Sequence, residues 1–117
     1  MSRHDVLARF REAAPHILPS MLRCDFGNLE REVRELEAAG VPALHLDVMD
    51  GLFVPNLTYG MPVVAALRKL TDLPLDVHLM IQQPQRYLQQ FADAGADLLT
   101  VHVEACEDPV NTLGCIR

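Results

Sequence analysis

Short apolar segments alternate with segments of helical periodicity along most of this sequence. The apolar segments are predicted strands, and they cover residues 16–20, 43–49, 75–81 and 98–104. The spacing of apolar residues predicts helices between them, over residues 28–39, 61–70 and 84–94. Gly40 and Gly95 stand where helices should end, and Pro62 and Pro84 stand where helices should begin. This alternation predicts an α/β fold with parallel strands joined by right-handed crossovers.

The second predicted strand carries polar side chains where a core strand is normally apolar. Because side chains alternate between the two faces of a strand, His45, Asp47 and Met49 share one face, opposite Leu46 and Val48. Charge that is buried without a partner is costly, so a His-x-Asp face indicates a site. The alternative is a hydrogen-bonded core histidine beside an aspartate that caps a turn.

The third and fourth predicted strands repeat this pattern. Strands of a parallel sheet are usually covered on both faces and apolar throughout. Here Asp76, His78 and Met80 share one face, and Thr100, His102 and Glu104 share another. Polar groups therefore collect toward the carboxyl ends of three strands, which is where chemistry lies in α/β barrels.

Two imidazoles and a carboxylate form a plausible metal-binding set. His45, Asp47 and His78 suit zinc, iron or manganese better than calcium or magnesium. His102 and Glu104 could orient these ligands, although either residue taken alone is more often a structural hydrogen-bonding group.

Composition limits the class of protein and of partner. The chain has 117 residues, half of them apolar, and a formal net charge of -6, which suits one domain and argues against nucleic acid or an anionic membrane as partner. The sequence contains neither a long apolar span nor the apolar core of a secretory signal. Three cysteines without a CxxC pair fit a reducing cytoplasm. Residues 2–14 are predicted to form a helix, within a helical extension over residues 1–15, and Asp108-Pro109 should begin another.

Four stretches of the sequence together resemble the ribulose-phosphate 3-epimerase family. They are LPSMLRCDFGNLEREV, ALHLDVMDGLFVPNLTYG, PLDVHLMI and ADLLTVHVEA, and the resemblance extends from about Ile17 to Glu104. It implies a (β/α)8 TIM barrel of the ribulose-phosphate-binding kind, of which residues 16–117 would form the N-terminal half, with about four β-α units. The implied activity interconverts D-ribulose 5-phosphate and D-xylulose 5-phosphate in the pentose phosphate pathway.

The resemblance also implies a role for each site residue. His45, Asp47 and His78 would bind a divalent cation (zinc, iron, manganese or cobalt), and Asp47 would also be one of two acid/base carboxylates. Ser20 and His78 would contact the sugar phosphate, and Met49 and Met80 would line the pocket beside the reacting carbon, although either methionine alone is more often core packing. Removing a proton beside a carbonyl creates an enediolate, whose charge a divalent cation stabilises. Inversion then requires an acid on the opposite face.

The sequence departs from the family pattern chiefly in its length. A complete barrel needs roughly 200 residues or more. In the family, the second catalytic aspartate lies on the seventh strand and the phosphate-binding loops follow strands six to eight, and none of these is among the 117 residues. Arg23, Cys24 and Leu52 are smaller departures that affect no proposed role. The chain alone is therefore expected to show little or no epimerase turnover.

Alternatives to a truncated epimerase remain at this point. The chain could derive from another sugar-phosphate enzyme of the same barrel group, such as an allulose-phosphate 3-epimerase or a hexulose-phosphate synthase. It could also be a non-catalytic half-barrel that assembles through its open sheet edges, as in a homo-oligomer.

Overall fold

The protein is described by a computed structural model that covers residues 3–12 and 15–117. Five α-helices are described, α1 Arg3–Glu12, α2 Leu29–Ala38, α3 Met61–Leu70, α4 Leu88–Ala94 and α5 Pro109–Ile116. The strands are β1 Leu44–Met49, β2 Leu75–Met80 and β3 Leu98–Val101. Short 3-10 helices span Met21–Arg23, Phe26–Asn28, Pro84–Arg86 and Val103–Ala105.

The three strands form one parallel sheet in the order β1-β2-β3. The register pairs Leu44 with Leu75 and Met49 with Met80, so β1 and β2 begin and end at the same level. β3 pairs with β2 from Asp76 to Leu79. The predicted α/β fold with parallel neighbouring strands is therefore confirmed for this part of the chain.

The hydrophobic core lies between one face of the sheet and helices α2, α3 and α4. Alternate residues of β1 and β2 face this core, because successive side chains of a strand point to opposite faces. The strand residues are Leu44, Leu46, Val48, Leu75, Val77 and Leu79, and the helix residues buried against them are Val33, Val64, Leu67, Leu88 and Phe91. The intervening strand positions are left for the polar face.

Helix ends follow the predicted signals closely. Gly40, two residues after the end of α2, and Gly95, directly after α4, both have positive φ, 76° and 118°. Asp25 and Asn28 precede α2 in the sequence, and either residue type can cap a helix. Asp25 instead caps the preceding 3-10 helix by accepting from the N–H of Gly27, and the Asn28 side chain makes no capping bond.

The predicted first strand, residues 16–20, does not form a regular strand. The contact with β1 is a single parallel bridge between Ser20 and His45, with a bond from His45 N–H to the carbonyl of Pro19. Pro19 has no N–H with which to continue a ladder. Ser20 then begins a 3-10 helix by accepting from the N–H of Leu22.

The predicted strand over residues 98–104 ends early, at Val101. The N–H groups of Ala105 and Cys106 bond to the carbonyls of His102 and Val103, which makes a 3-10 turn. The outer side of β3 has no strand partner within residues 3–12 and 15–117, so local bonds replace a ladder there.

The predicted helix over residues 84–94 is divided. Residues Pro84–Arg86 form a 3-10 turn, and α4 begins at Leu88. The predicted N-terminal helix over residues 2–14 is described as α1, and its positions 2, 13 and 14 lie outside the described residues. Within the described part of the chain, the helices are too short or too polar to cross a membrane.

Candidate active site

The register of β1 and β2 places the predicted site residues in three adjacent pairs. His45 lies opposite Asp76, Asp47 opposite His78, and Met49 opposite Met80. Alternation puts these residues on one face of the sheet, away from the hydrophobic core. This face of the sheet therefore presents two histidines, two aspartates and two methionines together.

Asp47 is at the centre of this arrangement. Its Oδ1 lies 3.2 Å from His45 Nε2 and 3.1 Å from His78 Nδ1. Its Oδ2 accepts a hydrogen bond from the Ser20 hydroxyl. The structure thus brings four of the predicted site residues into direct contact, although Ser20 is far from the other three in sequence. We call His45, Asp47 and His78 the Asp47 cluster.

The surroundings of Asp47 favour its ionised form. Burial opposes ionisation, but hydrogen bonds with Ser20 and His78 and the charge of His45 outweigh burial and hold the pKa of Asp47 below its usual value. The carboxylate is therefore available to accept a proton or to bind a cation at neutral pH.

Two residues that the sequence interpretation missed hold the backbone at Asp47. The Tyr59 hydroxyl accepts from the N–H of Asp47 at 2.9 Å. The Thr58 hydroxyl accepts from the N–H of Met49 at 3.0 Å and donates to the carbonyl of Asp47 at 2.8 Å. Burial raises the pKa of Tyr59 to about 12, so its hydroxyl stays protonated. The loop after β1 thus replaces strand pairing at this level and fixes the position of the carboxylate.

The far nitrogens of both imidazoles also have partners. His45 Nδ1 lies 2.7 Å from Asp76 Oδ2, and His78 Nε2 lies 2.7 Å from His102 Nε2. Asp76 was assigned to the polar face from the sequence but given no function, although its position opposite His45 was a usable signal. Glu104, predicted to act with His102, is largely exposed, and its Oε2 is 3.9 Å from His102 Nδ1.

The loop after β1 also covers the site from one side. Asp50 accepts hydrogen bonds from the N–H groups of Leu52 and Phe53, each at 2.9 Å, and of Gln82 at 2.8 Å. This last bond ties the loop to the segment after β2. The Phe53 ring packs on the His102 ring with centroids 5.1 Å apart.

The donor set of the Asp47 cluster fits a divalent cation. One ligand atom from each of His45, Asp47 and His78 lies within 4.8 Å of the others, and all three residues are half-buried. Two nitrogens and one carboxylate oxygen suit zinc, iron, manganese or cobalt. Met49 and Met80 stand at the next level of the same face, half-buried and opposite each other.

Fold and site together define an α/β protein with a candidate metal centre at the carboxyl ends of parallel strands. Comparison with known proteins gives the family. A model of the Ribulose-phosphate 3 epimerase family matches residues 16–117. The chain therefore belongs to the ribulose-phosphate 3-epimerase family, which is of the TIM-barrel type, as its motifs predict.

Curated relatives agree with this assignment. The chain is 52% identical over 101 residues to the ribulose-phosphate 3-epimerase of Bacillus subtilis, a match that covers 86% of this chain and 46% of the relative. The corresponding Rhodobacter capsulatus protein is also 52% identical over 101 residues, which are 86% of this chain and 44% of that protein. The Arabidopsis thaliana chloroplastic ribulose-5-phosphate-3-epimerase is 50% identical over 82% of this chain and 34% of its own length. The chain thus spans less than half of the length of these relatives.

Proposed function

We propose that this chain supplies the metal-binding half of a ribulose-phosphate 3-epimerase, which interconverts D-ribulose 5-phosphate and D-xylulose 5-phosphate in the pentose phosphate pathway. The observation that carries the proposal is the placement of Asp47, which two imidazoles and a serine hydroxyl contact at the carboxyl ends of the strands. Membership of the family supports the same reaction. The proposed location of the enzyme is the cytoplasm.

Asp47 is the proposed base that removes the proton from the carbon beside the substrate carbonyl. A base must be ionised when substrate binds, and the lowered pKa of Asp47 meets this requirement at neutral pH. The hydrogen bonds that the Tyr59 and Thr58 hydroxyls make with the backbone of Asp47 fix the direction from which its carboxylate meets the substrate. The same carboxylate would return the proton when the reaction runs in reverse.

His45, Asp47 and His78 are the proposed ligands of a divalent cation. When bound, such a cation supplies Lewis-acid stabilisation of the negative charge that develops on substrate oxygen. As metal ligands the two imidazoles would be neutral, so a divalent cation and its three ligands would together carry one net positive charge, which favours an anionic sugar phosphate.

Ser20, His78, Met49 and Met80 are the proposed contacts to substrate. The Ser20 hydroxyl is exposed and already bonded to Asp47, so it lies where a substrate hydroxyl would meet the carboxylate. The two methionines offer apolar, polarisable surface at the level above the Asp47 cluster. Such a wall excludes water from the reacting carbon and so protects the intermediate from side reactions.

We further propose that residues 16–117 form the N-terminal half of the barrel, with about four β-α units, and that residues 1–15 form a helical extension. Inversion at carbon requires an acid on the face opposite Asp47, and phosphate binding supplies much of the orientation. Asp76, the carboxylate bonded to His45, lies on the same face of the sheet as Asp47 and so does not stand opposite it. The chain alone should therefore lack epimerase turnover.

The test separates proton removal from inversion. The purified chain is incubated in deuterium oxide with D-ribulose 5-phosphate and zinc, iron, manganese or cobalt, and both xylulose 5-phosphate formation and deuterium uptake at the reacting carbon are followed. We expect slow deuterium uptake without epimerisation. Asp47→Asn is the matched variant and should reduce uptake to the rate with free metal, because the amide cannot accept the proton.

Two outcomes would contradict the proposal. Deuterium uptake at the same rate in the wild type and in Asp47→Asn would show that Asp47 is not the base. Epimerisation at the rate of a complete barrel would show that the chain needs no second half. Parallel incubation with allulose 6-phosphate would show whether a related epimerase assignment fits better.

A second candidate function is assembly through the open edge of the sheet. The outer side of β3 has no strand partner among the described residues, and its Thr100 is exposed. Unpaired strand edges can pair with another chain. Sedimentation of the purified chain tests this: a discrete homo-oligomer supports assembly, and a monomer at high concentration contradicts it.

A further inference from the structure

We propose that Asp76 and His102 are positioning residues that hold the far-nitrogen protons of His45 and His78, so that both imidazoles can turn a lone pair toward a cation bound beside Asp47. The inference rests on the proposed metal centre, to which it adds two residues outside the three ligands. Each acts through the far nitrogen of one imidazole. A metal-binding imidazole needs its proton on that far nitrogen, and the partner there decides whether the proton is held.

Asp76 is a hydrogen-bond acceptor for His45. A carboxylate has no proton to donate, so the 2.7 Å contact between Asp76 Oδ2 and His45 Nδ1 places the proton on Nδ1. The other nitrogen, Nε2, then faces Asp47 Oδ1 at 3.2 Å. Without a cation, this contact is a hydrogen bond in which Nε2 carries a proton and the carboxylate accepts, and a bound cation would take the place of that proton. Asp76 therefore prepares His45 as a ligand.

His102 plays the matching part for His78. Their Nε2 atoms are 2.7 Å apart, so one nitrogen donates and the other accepts. If His78 is to offer its Nδ1 to a cation, its proton must be on Nε2 and His102 must accept. The remaining proton of His102 is then on Nδ1, the nitrogen nearest Glu104 Oε2.

Ring packing restricts His102 to this contact. The His78 and His102 rings stack with centroids 4.9 Å apart at an interplanar angle of 27°. The Phe53 ring makes a second ring contact with His102, with centroids 5.1 Å apart. The loop after β1, which Asp50 ties to Gln82, thus holds the acceptor in place.

The experiment uses the whole chain and two kinds of readout. Nitrogen-15 NMR of the imidazoles reports their tautomers without metal, and calorimetry with zinc, manganese or cobalt gives dissociation constants. Asp76→Ala should move the His45 proton from Nδ1 toward Nε2. Asp76→Ala and His102→Phe should each weaken metal binding by about 10- to 100-fold and change the visible spectrum of bound cobalt.

Conservative variants separate positioning from mere packing. His102→Gln offers a side-chain oxygen that can accept from His78 Nε2, so it should restore most of the affinity that His102→Phe loses. Asp93→Ala, at an exposed position on α4, and His16→Phe, whose ring packs against Phe10, are the matched controls and should bind metal as the wild type does. Circular dichroism establishes that each variant is folded.

The outcomes of the two readouts separate the proposals. If the wild type binds none of the metals, the proposed metal centre is wrong, and the NMR readout alone then decides the roles of Asp76 and His102. If the wild type binds metal but Asp76→Ala and His102→Phe bind it within threefold and leave both tautomers unchanged, this inference is wrong and the metal centre stands. Equal weakening by His102→Phe and His102→Gln would overturn the role of His102.

Discussion

The two ends of the sheet both carry half-buried charge, but they use it differently. At the amino ends of β2 and β3, the Arg68 guanidinium bonds to Asp97 Oδ2 at 2.9 Å and to the carbonyls of Thr71 at 2.5 Å, Leu73 at 2.8 Å and Gly95 at 3.4 Å. We call these five residues the Arg68 network. In this network the guanidinium N–H groups donate to oxygen acceptors, and Asp97 also accepts from the N–H of Leu75, the first residue of β2.

The Asp47 cluster at the carboxyl ends lacks this balance. Three ligand atoms, all able to act as acceptors, converge within 4.8 Å. Matched charge ties loops to strand starts and stabilises the fold, whereas converging acceptors are costly until a cation joins them. The comparison indicates that the amino end stabilises the fold and supports the proposal that the carboxyl end binds a ligand, the division typical of α/β barrels.

The largest expected effect on stability is that of Arg68→Ala. Truncation removes the guanidinium from three carbonyls and from Asp97, whose carboxylate keeps the N–H of Leu75 but loses its cation, and whose side chain is only 28% exposed. We expect the free energy of unfolding to fall by about 2–4 kcal/mol, since the groups that remain are partly buried and unpaired. Urea denaturation followed by circular dichroism measures this loss.

Arg34→Ala is the matched control for that measurement. Arg34 pairs with Glu30 and Glu37, but more than half of its side chain is exposed. Exposed ion pairs contribute little, so the loss should be much smaller than that of Arg68→Ala. Equal losses in the two variants would contradict the structural role assigned to the Arg68 network.

The fold was largely predictable because its signals are local. Gly40, Pro62 and Gly95 mark helix boundaries through their own backbone preferences. The alternation of side chains on β1 and β2 follows directly from strand geometry. The prediction of a regular strand over residues 16–20 was wrong, because Pro19 has no N–H to donate to a ladder. The sequence already contained this proline, so the error was avoidable.

The placement of the site residues was predictable where it follows from the geometry of the strands. His45 and Asp47 are two positions apart, and His78 occupies the matching place on the next strand. Asp76, Tyr59 and Arg68 gained their roles from contacts across strands and loops, which depend on register and on loop path. No spacing along the chain encodes the contact between Asp47 and Tyr59, or the four acceptors of Arg68.

The next largest effect is expected from Gly95→Ala, also at the amino end. Gly95 has φ 118°, and a Cβ built there would lie 2.6 Å from Cγ and Cδ of Arg68. Because the Arg68 network holds that side chain, the clash adds to the backbone strain, and we expect a loss of about 1–3 kcal/mol. Thermal or urea unfolding of the variant measures the loss.

Gly40→Ala provides the control for backbone strain alone. Gly40 has φ 76°, but an added Cβ meets nothing within 4 Å. Its loss should be about 1 kcal/mol and smaller than that of Gly95→Ala. If the two variants lose the same stability, the Arg68 side chain yields freely and the network is less rigid than its bonds indicate.

Asp47→Asn should affect stability much less than the amino-end variants. The amide keeps the size of the side chain and can still accept from Ser20, so unfolding without metal should change by less than about 1 kcal/mol. Metal affinity should instead fall by more than about 100-fold, because the charged ligand is lost. A loss of stability as large as that of Arg68→Ala, with metal binding unchanged, would make the Asp47 cluster a structural network and remove the contrast between the two ends.

The smallest expected effect is the pH-dependent contribution of Asp50, the structural carboxylate at the carboxyl end. Burial opposes its ionisation, but the N–H groups of Gln82, Leu52 and Phe53 outweigh burial and lower its pKa. A lowered pKa in the folded state adds stability above the unfolded pKa of about 3.9, and this stability is lost as the pH falls through the folded value. Wild type should therefore be more stable than Asp50→Asn near neutral pH, and the difference should vanish in acid. Urea unfolding of both proteins from pH 7 to pH 3 measures it, and a difference that persists unchanged at pH 3 would show that Asp50 acts through shape and not through charge.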